Sequence, residues 1–127
     1  WLVRNAWLAK QTSLQQVVEQ WRDDWKSLDA DNYLAHYASN FNNGDMGYSQ
    51  FAEQKRRVNS GKSFIDVELE NLSIYQHPDK ADMFIATFQQ NYRSDNYSGS
   101  SMKRQYWIQE DGHWKIAYEG KPHKGKP

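Results

Sequence analysis

The chain predicts an α+β fold: a cone in which three N-terminal helices pack on a curved antiparallel sheet of about four strands. Three observations carry this reading. Apolar residues recur at helical spacing through the first half, the period switches to two after Ser63, and Glu110-Asp111-Gly112-His113 sets a Gly where a hairpin turn needs positive φ.

The elements follow in order. Trp1 to Gln11 is mildly apolar and predicts a lead-in helix or inter-domain linker over 1–12. Thr12 and Ser13 stand ahead of Gln15 and Gln16 in the order of a capping box, so a new helix is expected from Leu14. Leu14, Val17, Val18, Trp21, Trp25 and Leu28 make one apolar stripe along it. Asp29 or Asp31 is placed to cap a second helix reaching about Ser39, with Tyr33, Leu34, Tyr37 and Phe41 on one side. Ser49 is placed to cap a third, Gln50 to about Asn59, with Phe51, Lys55 and Val58 inward and Gly61 just past its end.

From Ser63 the pattern alternates. Ile65, Val67 and Leu69 share one face, then Leu72 and Ile74 take the opposite parity, a one-residue slip that predicts a β-bulge near Glu70-Asn71. His77-Pro78-Asp79-Lys80 is a turn. In the strand from Asp82, Phe84, Ala86, Phe88, Gln90 and Tyr92 point together. Ser94 to Ser101 reads as a polar loop at the hairpin tip, and Met102 to Glu110 sets Lys103, Gln105 and Trp107 opposite Arg104, Tyr106 and Ile108. The last strand is Trp114 to Glu119. The domain is expected over 13–120, with a frayed tail at 121–127 rich in Lys, Gly and Pro.

Composition narrows the function classes. With 127 residues there is room for one domain. Mean hydropathy is low at −1.04, but 6 Trp, 8 Tyr and 5 Phe make the expected core aromatic. Lys plus Arg and Asp plus Glu balance at 16 each, which leaves no net field to draw the chain to nucleic acid or anionic lipid. No apolar run is long enough for membrane insertion. The chain opens on Trp1 rather than Met and reads as a fragment or processed form, so the lack of a targeting segment is uninformative. Without Cys there is no thiol nucleophile or thiolate site, and His36, His77, His113 and His123 are too scattered for a metal site. No cofactor-binding or hydrolase motif occurs.

Val17-Val18-Glu19-Gln20-Trp21, Trp25, Asp31, Tyr33-Leu34, Tyr37 and Phe41 are followed by Phe88-x-Gln90-x-Tyr92-x-Ser94, Lys103-x-x-x-Trp107 and Asp111-Gly112-x-Trp114-Lys115-Ile116. Together these resemble the nuclear transport factor 2-like (SnoaL-like, cystatin-like) superfamily. More narrowly, they resemble the C-terminal accessory domain of cell-shape L,D-carboxypeptidase and L,D-transpeptidase-related envelope proteins of Gram-negative bacteria. The resemblance implies a cone fold, a periplasmic or cell-envelope location, and a pocket domain that accompanies a separate catalytic domain. The Cys and His motif of those catalytic domains is absent here.

The opening between helices and sheet is the expected pocket, with Tyr33, Tyr37, Gln90, Tyr92, Lys103, Trp107 and Glu119 as candidate ligand-binding residues and no catalytic residue or cofactor assigned. Gln90 has two readings: bonded to Tyr37 or a helix backbone group, or reaching into the opening toward polar ligand groups. Lys103, Gln105 and Trp107 place an ammonium, an amide and an indole about 7 Å apart stepwise, a pattern that serves sugar or peptide recognition. A solvated outer face or a dimer contact has the same pattern. Proton-transfer chemistry has Asp31 and Glu119 available, but Asp31 stands where capping explains it and Glu119 near a strand end open to solvent. Three functions remain: a non-catalytic accessory domain binding a peptidoglycan fragment or protein partner, a small SnoaL-like enzyme on a hydrophobic carbonyl compound, or a module forming a homodimer through its open sheet face.

Overall fold

A computed structural model describes residues 2–120. Its elements run α1 (Leu2–Lys26), α2 (Ala30–Leu34), β1 (Tyr37–Asn42), α3 (Tyr48–Ser60), β2 (Ile65–Gln76), β3 (Phe84–Ser94), β4 (Ser98–Glu110) and β5 (His113–Gly120). The five strands lie in the order β1-β5-β4-β3-β2, antiparallel except for the parallel β1–β5 pair. The expected α+β cone is present, with one strand more than the pattern suggested. The expected tail at 121–127 lies outside the described residues.

Four segments differ from expectation. The helix expected to start at Leu14 is continuous with the lead-in, and Thr12 and Ser13 sit exposed inside α1 rather than capping it. Neither Gly nor Pro separates the segments, and an interior Ser or Thr costs only a few tenths of a kcal/mol against Ala. The second helix does begin on an Asp29 cap, whose carboxylate accepts from the Asn32 amide, but it stops at Leu34. Tyr37 to Asn42 becomes a strand, because the β5 edge offers backbone partners that a surface helix would forgo: the Ile116 amide donates to the His36 carbonyl at 2.8 Å. The third helix is capped at Gly47 without a side-chain bond, so Ser49 is inside it, and Val58 is exposed rather than inward. At the hairpin tip, Ser98 to Ser101 belongs to β4 rather than to a loop.

The bulge expected near Glu70-Asn71 is there. Register with β3 shifts between Glu70 and Ser73, and Asn71 adopts φ 56°. The β4–β5 turn has both Asp111 (φ 54°) and Gly112 (φ 79°) in the left-handed region, the geometry that two-residue hairpins favour. Bulges increase the local twist, so the sheet curls over the helices. Inside the curl, Trp21, Trp25, Tyr33, Phe41, Phe51, Phe88, Trp107 and Ile116 are buried in one aromatic core. Trp21 meets Phe88 at 5.8 Å and Trp25 meets Tyr92 at 5.3 Å between ring centroids, which seats α1 on β3. No described helix is long and apolar enough to cross a membrane.

Candidate ligand-binding site

A second bulge decides which polar side chain enters the cone. Ala117 has no partner on β4, since Tyr106 pairs with Tyr118 and Trp107 with Ile116. The extra residue reverses the alternation of β5. Trp114 and Ile116 face inward, and beyond the bulge Glu119 does so at 8% exposure, while Tyr118 is turned out at 38%. The expectation that Glu119 lies near solvent is thereby corrected.

Glu119 ends a buried hydrogen-bond chain. Trp107 Nε1 donates to Gln105 Oε1 at 3.1 Å, and Gln105 Nε2 donates to Glu119 Oε2 at 2.7 Å. The Tyr37 hydroxyl donates to the same oxygen at 3.2 Å. With its proton committed there, the Tyr37 oxygen accepts from Trp21 Nε1 at 3.1 Å and from the Tyr33 hydroxyl at 3.0 Å. Burial, and after it the Glu119 charge, push both tyrosine pKa values well above the usual range. Both phenols therefore remain protonated donors.

Beside this chain a cavity of about 210 Å³ opens between α1, α3 and the β3–β4 hairpin. Trp25, Lys55, Val58 and Asn59 line the helical side, and Gln90, Tyr92, Tyr97, Gly99 and Lys103 the sheet side. Trp25 and Gln90 are 6% and 7% exposed, yet Trp25 Nε1 and Gln90 Oε1 have no hydrogen-bond partner among the described residues. The reading in which Gln90 bonds Tyr37 is overturned, because the Tyr37 hydroxyl is committed to Trp21, Tyr33 and Glu119. Two residues that line the cavity thus each hold a buried polar atom without a partner, which costs stability unless a bound group completes it.

The cavity is also cationic. Lys55 Nζ lies 5.4 Å from the Trp25 ring centroid and 5.5 Å from that of Phe51. Burial lowers the Lys55 pKa; the Glu119 charge draws it back up, and the Lys103 charge lowers it further. An acidic group entering here relieves the repulsion between the two ammonium groups.

Of the seven residues expected at the site, Gln90, Tyr92 and Lys103 line the cavity, whereas Tyr33, Tyr37, Trp107 and Glu119 lie in the buried chain behind it. Lys103, Gln105 and Trp107 do share one side, but it is the interior side; Gln105 and Trp107 are fully buried, so this is neither a solvated outer face nor a dimer contact. Trp25, Lys55 and Tyr97 were not foreseen at the site. Trp25 lies on the apolar α1 stripe, a position that by itself marks core, and Lys55 on the inward side of α3 stands next to the charged Arg56 and Arg57. Its place one helical turn after buried Phe51 is the signal that finds it.

The model of the Cds6 C-terminal NTF2-like domain family matches residues 13–120. The chain belongs to this family. Solved structures agree on the NTF2-like cone. Bd1075 of Bdellovibrio bacteriovorus matches with a TM-score of 0.76 and 27% identity, over 85% of this chain and 39% of that one. The helical cell shape determining protein Pgp2 of Campylobacter jejuni matches with a TM-score of 0.67 and 25% identity, over 80% of this chain and 37% of that one. An NTF2-like protein of Pseudomonas putida is similar in fold alone, with a TM-score of 0.75 and 15% identity over 89% of this chain and 85% of that one. This NTF2-like domain thus spans less than two fifths of Bd1075 or Pgp2. Among curated proteins none matches the chain.

Proposed function

We propose that this NTF2-like domain is a non-catalytic binding module of a peptidoglycan-modifying protein in the envelope of a Gram-negative bacterium, and that its cavity takes an acidic peptidoglycan fragment. One observation carries the reading: Trp25 and Gln90, each over nine-tenths buried and each holding an unpartnered polar atom, line the same cavity beside two lysines. A peptide unit offers the matching acceptor and donor, and its carboxylate suits the lysines. The likeness to a cell shape determining protein supports the peptidoglycan context.

Against an isomerase role stands the state of Glu119, whose carboxylate already accepts from Tyr37 and Gln105 behind the cavity wall. A general base for a carbonyl substrate needs reach to the proton it removes. A second reading, homodimerisation through the outer sheet face, draws on exposed Met102 and Tyr118 and on Arg104 Nε, buried there with no partner among the described residues. Sedimentation at rising concentration tests it; a dimer dissolved by Met102→Glu favours it.

Calorimetric titration with purified soluble peptidoglycan fragments tests the first reading. Saturable heat is expected, with affinity falling about tenfold or more in Lys103→Ala, as loss of a charge-assisted contact implies. Absence of saturable binding at millimolar fragment overturns it.

A further inference from the structure

The cavity is smaller than the roughly 300 to 1,000 Å³ that encloses a whole drug-sized ligand. Only the end of a peptidoglycan fragment fits inside, and the rest must pass over the rim. The rim is built around Tyr97. This residue is 64% exposed, and its ring lies across Gly99: a Cβ added there would lie 2.7 Å from the Tyr97 hydroxyl oxygen and 3.1 Å from Cζ, so Gly leaves the ring room to cross the strand. The ring continues the aromatic series inward, 6.0 Å from Tyr92, which is 5.3 Å from Trp25.

The loop carrying Tyr97 is clamped to the opposite wall. The neighbouring Asp95 carboxylate accepts from the Ser63 amide at 3.0 Å, the Ser63 hydroxyl at 2.5 Å and the Phe64 amide at 3.1 Å, while Lys62 donates to Asn96. The Tyr97 carbonyl itself accepts from the Ser94 amide at 2.8 Å. An aromatic ring on an anchored backbone has less freedom to lose on contact, which favours stacking on a ligand face.

We infer that Tyr97 is a sugar-stacking subsite and that fragments bind peptide end first, the acidic peptide reaching Lys55 and Lys103 and the adjoining pyranose lying on the Tyr97 ring. The chemistry divides the two ends. The inner surface offers two ammonium groups, which pair best with a carboxylate; the rim offers an aromatic ring, whose face matches the C–H face of a pyranose. Asp95 is a positioning residue, holding the ring without touching the ligand. This inference rests on the cavity being the peptidoglycan site proposed above.

The test compares two probes on the 127-residue chain: the free stem tripeptide, and the same peptide on its N-acetylglucosamine–N-acetylmuramic acid disaccharide. The wild type should bind the disaccharide form more tightly, by about three- to tenfold, the scale of one aromatic contact. Tyr97→Ala should remove that increment and change free-peptide affinity less than twofold. Gly99→Ala, which displaces the ring and keeps it, should do the same, and Asp95→Asn should reduce the increment. Lys103→Ala should weaken both probes alike. Equal loss for both probes in Tyr97→Ala, or no loss for either, overturns the subsite while leaving the cavity reading standing. A wild type that binds neither probe overturns both.

Discussion

The Tyr37 hydroxyl and the Glu119 carboxylate, 82 residues apart in the chain, meet at 3.2 Å in the buried interior and tie β1 to the far end of β5. Tyr37 is the hub, since its oxygen also accepts from Trp21 and Tyr33. Removing the hub strands two donors and deprives Glu119 of one. Tyr37→Phe should cost about 2 to 4 kcal/mol in urea unfolding, and Tyr33→Phe, which removes only a terminal donor, about 1 kcal/mol. Equal costs would mean that the hub is not where the geometry places it.

Gln90 presents the opposite case, a buried acceptor with no partner among the described residues. Gln90→Met keeps the volume and removes the polar group. The free domain should be as stable as the wild type or more so by about 1 kcal/mol, while fragment affinity falls about tenfold. Chemical denaturation and calorimetry on the same variant check both halves; a loss of stability would show that the amide is satisfied within the fold.

Lys55 is another place where function opposes stability. Its charge is held against burial and against Lys103, and a Lys whose folded pKa is depressed destabilises the fold wherever it is charged, the penalty easing only as pH rises through that pKa. Lys55→Met keeps the packing on Trp25 and Phe51. Its thermal midpoint at pH 7 should lie above that of the wild type, the gap should narrow toward high pH, and acidic fragments should bind more weakly. An unchanged or lower midpoint contradicts this electrostatic account.

The clamp at Asp95 has a different sign. Bonds from the Ser63 hydroxyl and amide and from the Phe64 amide lower its pKa from 3.8 to about 2. A depressed carboxylate stabilises the fold fully above its unfolded pKa and loses that contribution as pH falls through the folded one. The stability difference between wild type and Asp95→Asn should therefore be constant above about pH 4 and shrink between pH 4 and 2. A difference that persists undiminished at pH 2 would place its origin elsewhere.

The legible parts of the fold are those with local causes. The α1 stripe, the Asp29 cap, the Asp111-Gly112 turn and the Glu70-Asn71 bulge each leave a mark within a few residues. β1 leaves none, because its partner β5 lies some eighty residues downstream and its buried Tyr37, Ala38 and Phe41 keep a spacing that also suits a helix. The site divides the same way. Alternation fixes the side on which Gln90, Tyr92 and Lys103 lie, but depth along the cone separates lining from core, and nothing local tells Trp107 or Tyr37 that a neighbour closes over it. Glu119 turns inward through an unpaired Ala117, a register feature of two strands rather than of one.

The most direct test of the central claim observes the Trp25 indole proton by 15N-resolved NMR during titration with an acidic peptidoglycan fragment. The account predicts a saturable downfield movement of the Trp25 Nε1–H signal with little change at Trp21 and Trp107, whose indoles are already bonded to Tyr37 and Gln105. A Trp25 signal that stays fixed at millimolar fragment, or movement confined to the outer face around Met102 and Tyr118, would contradict it.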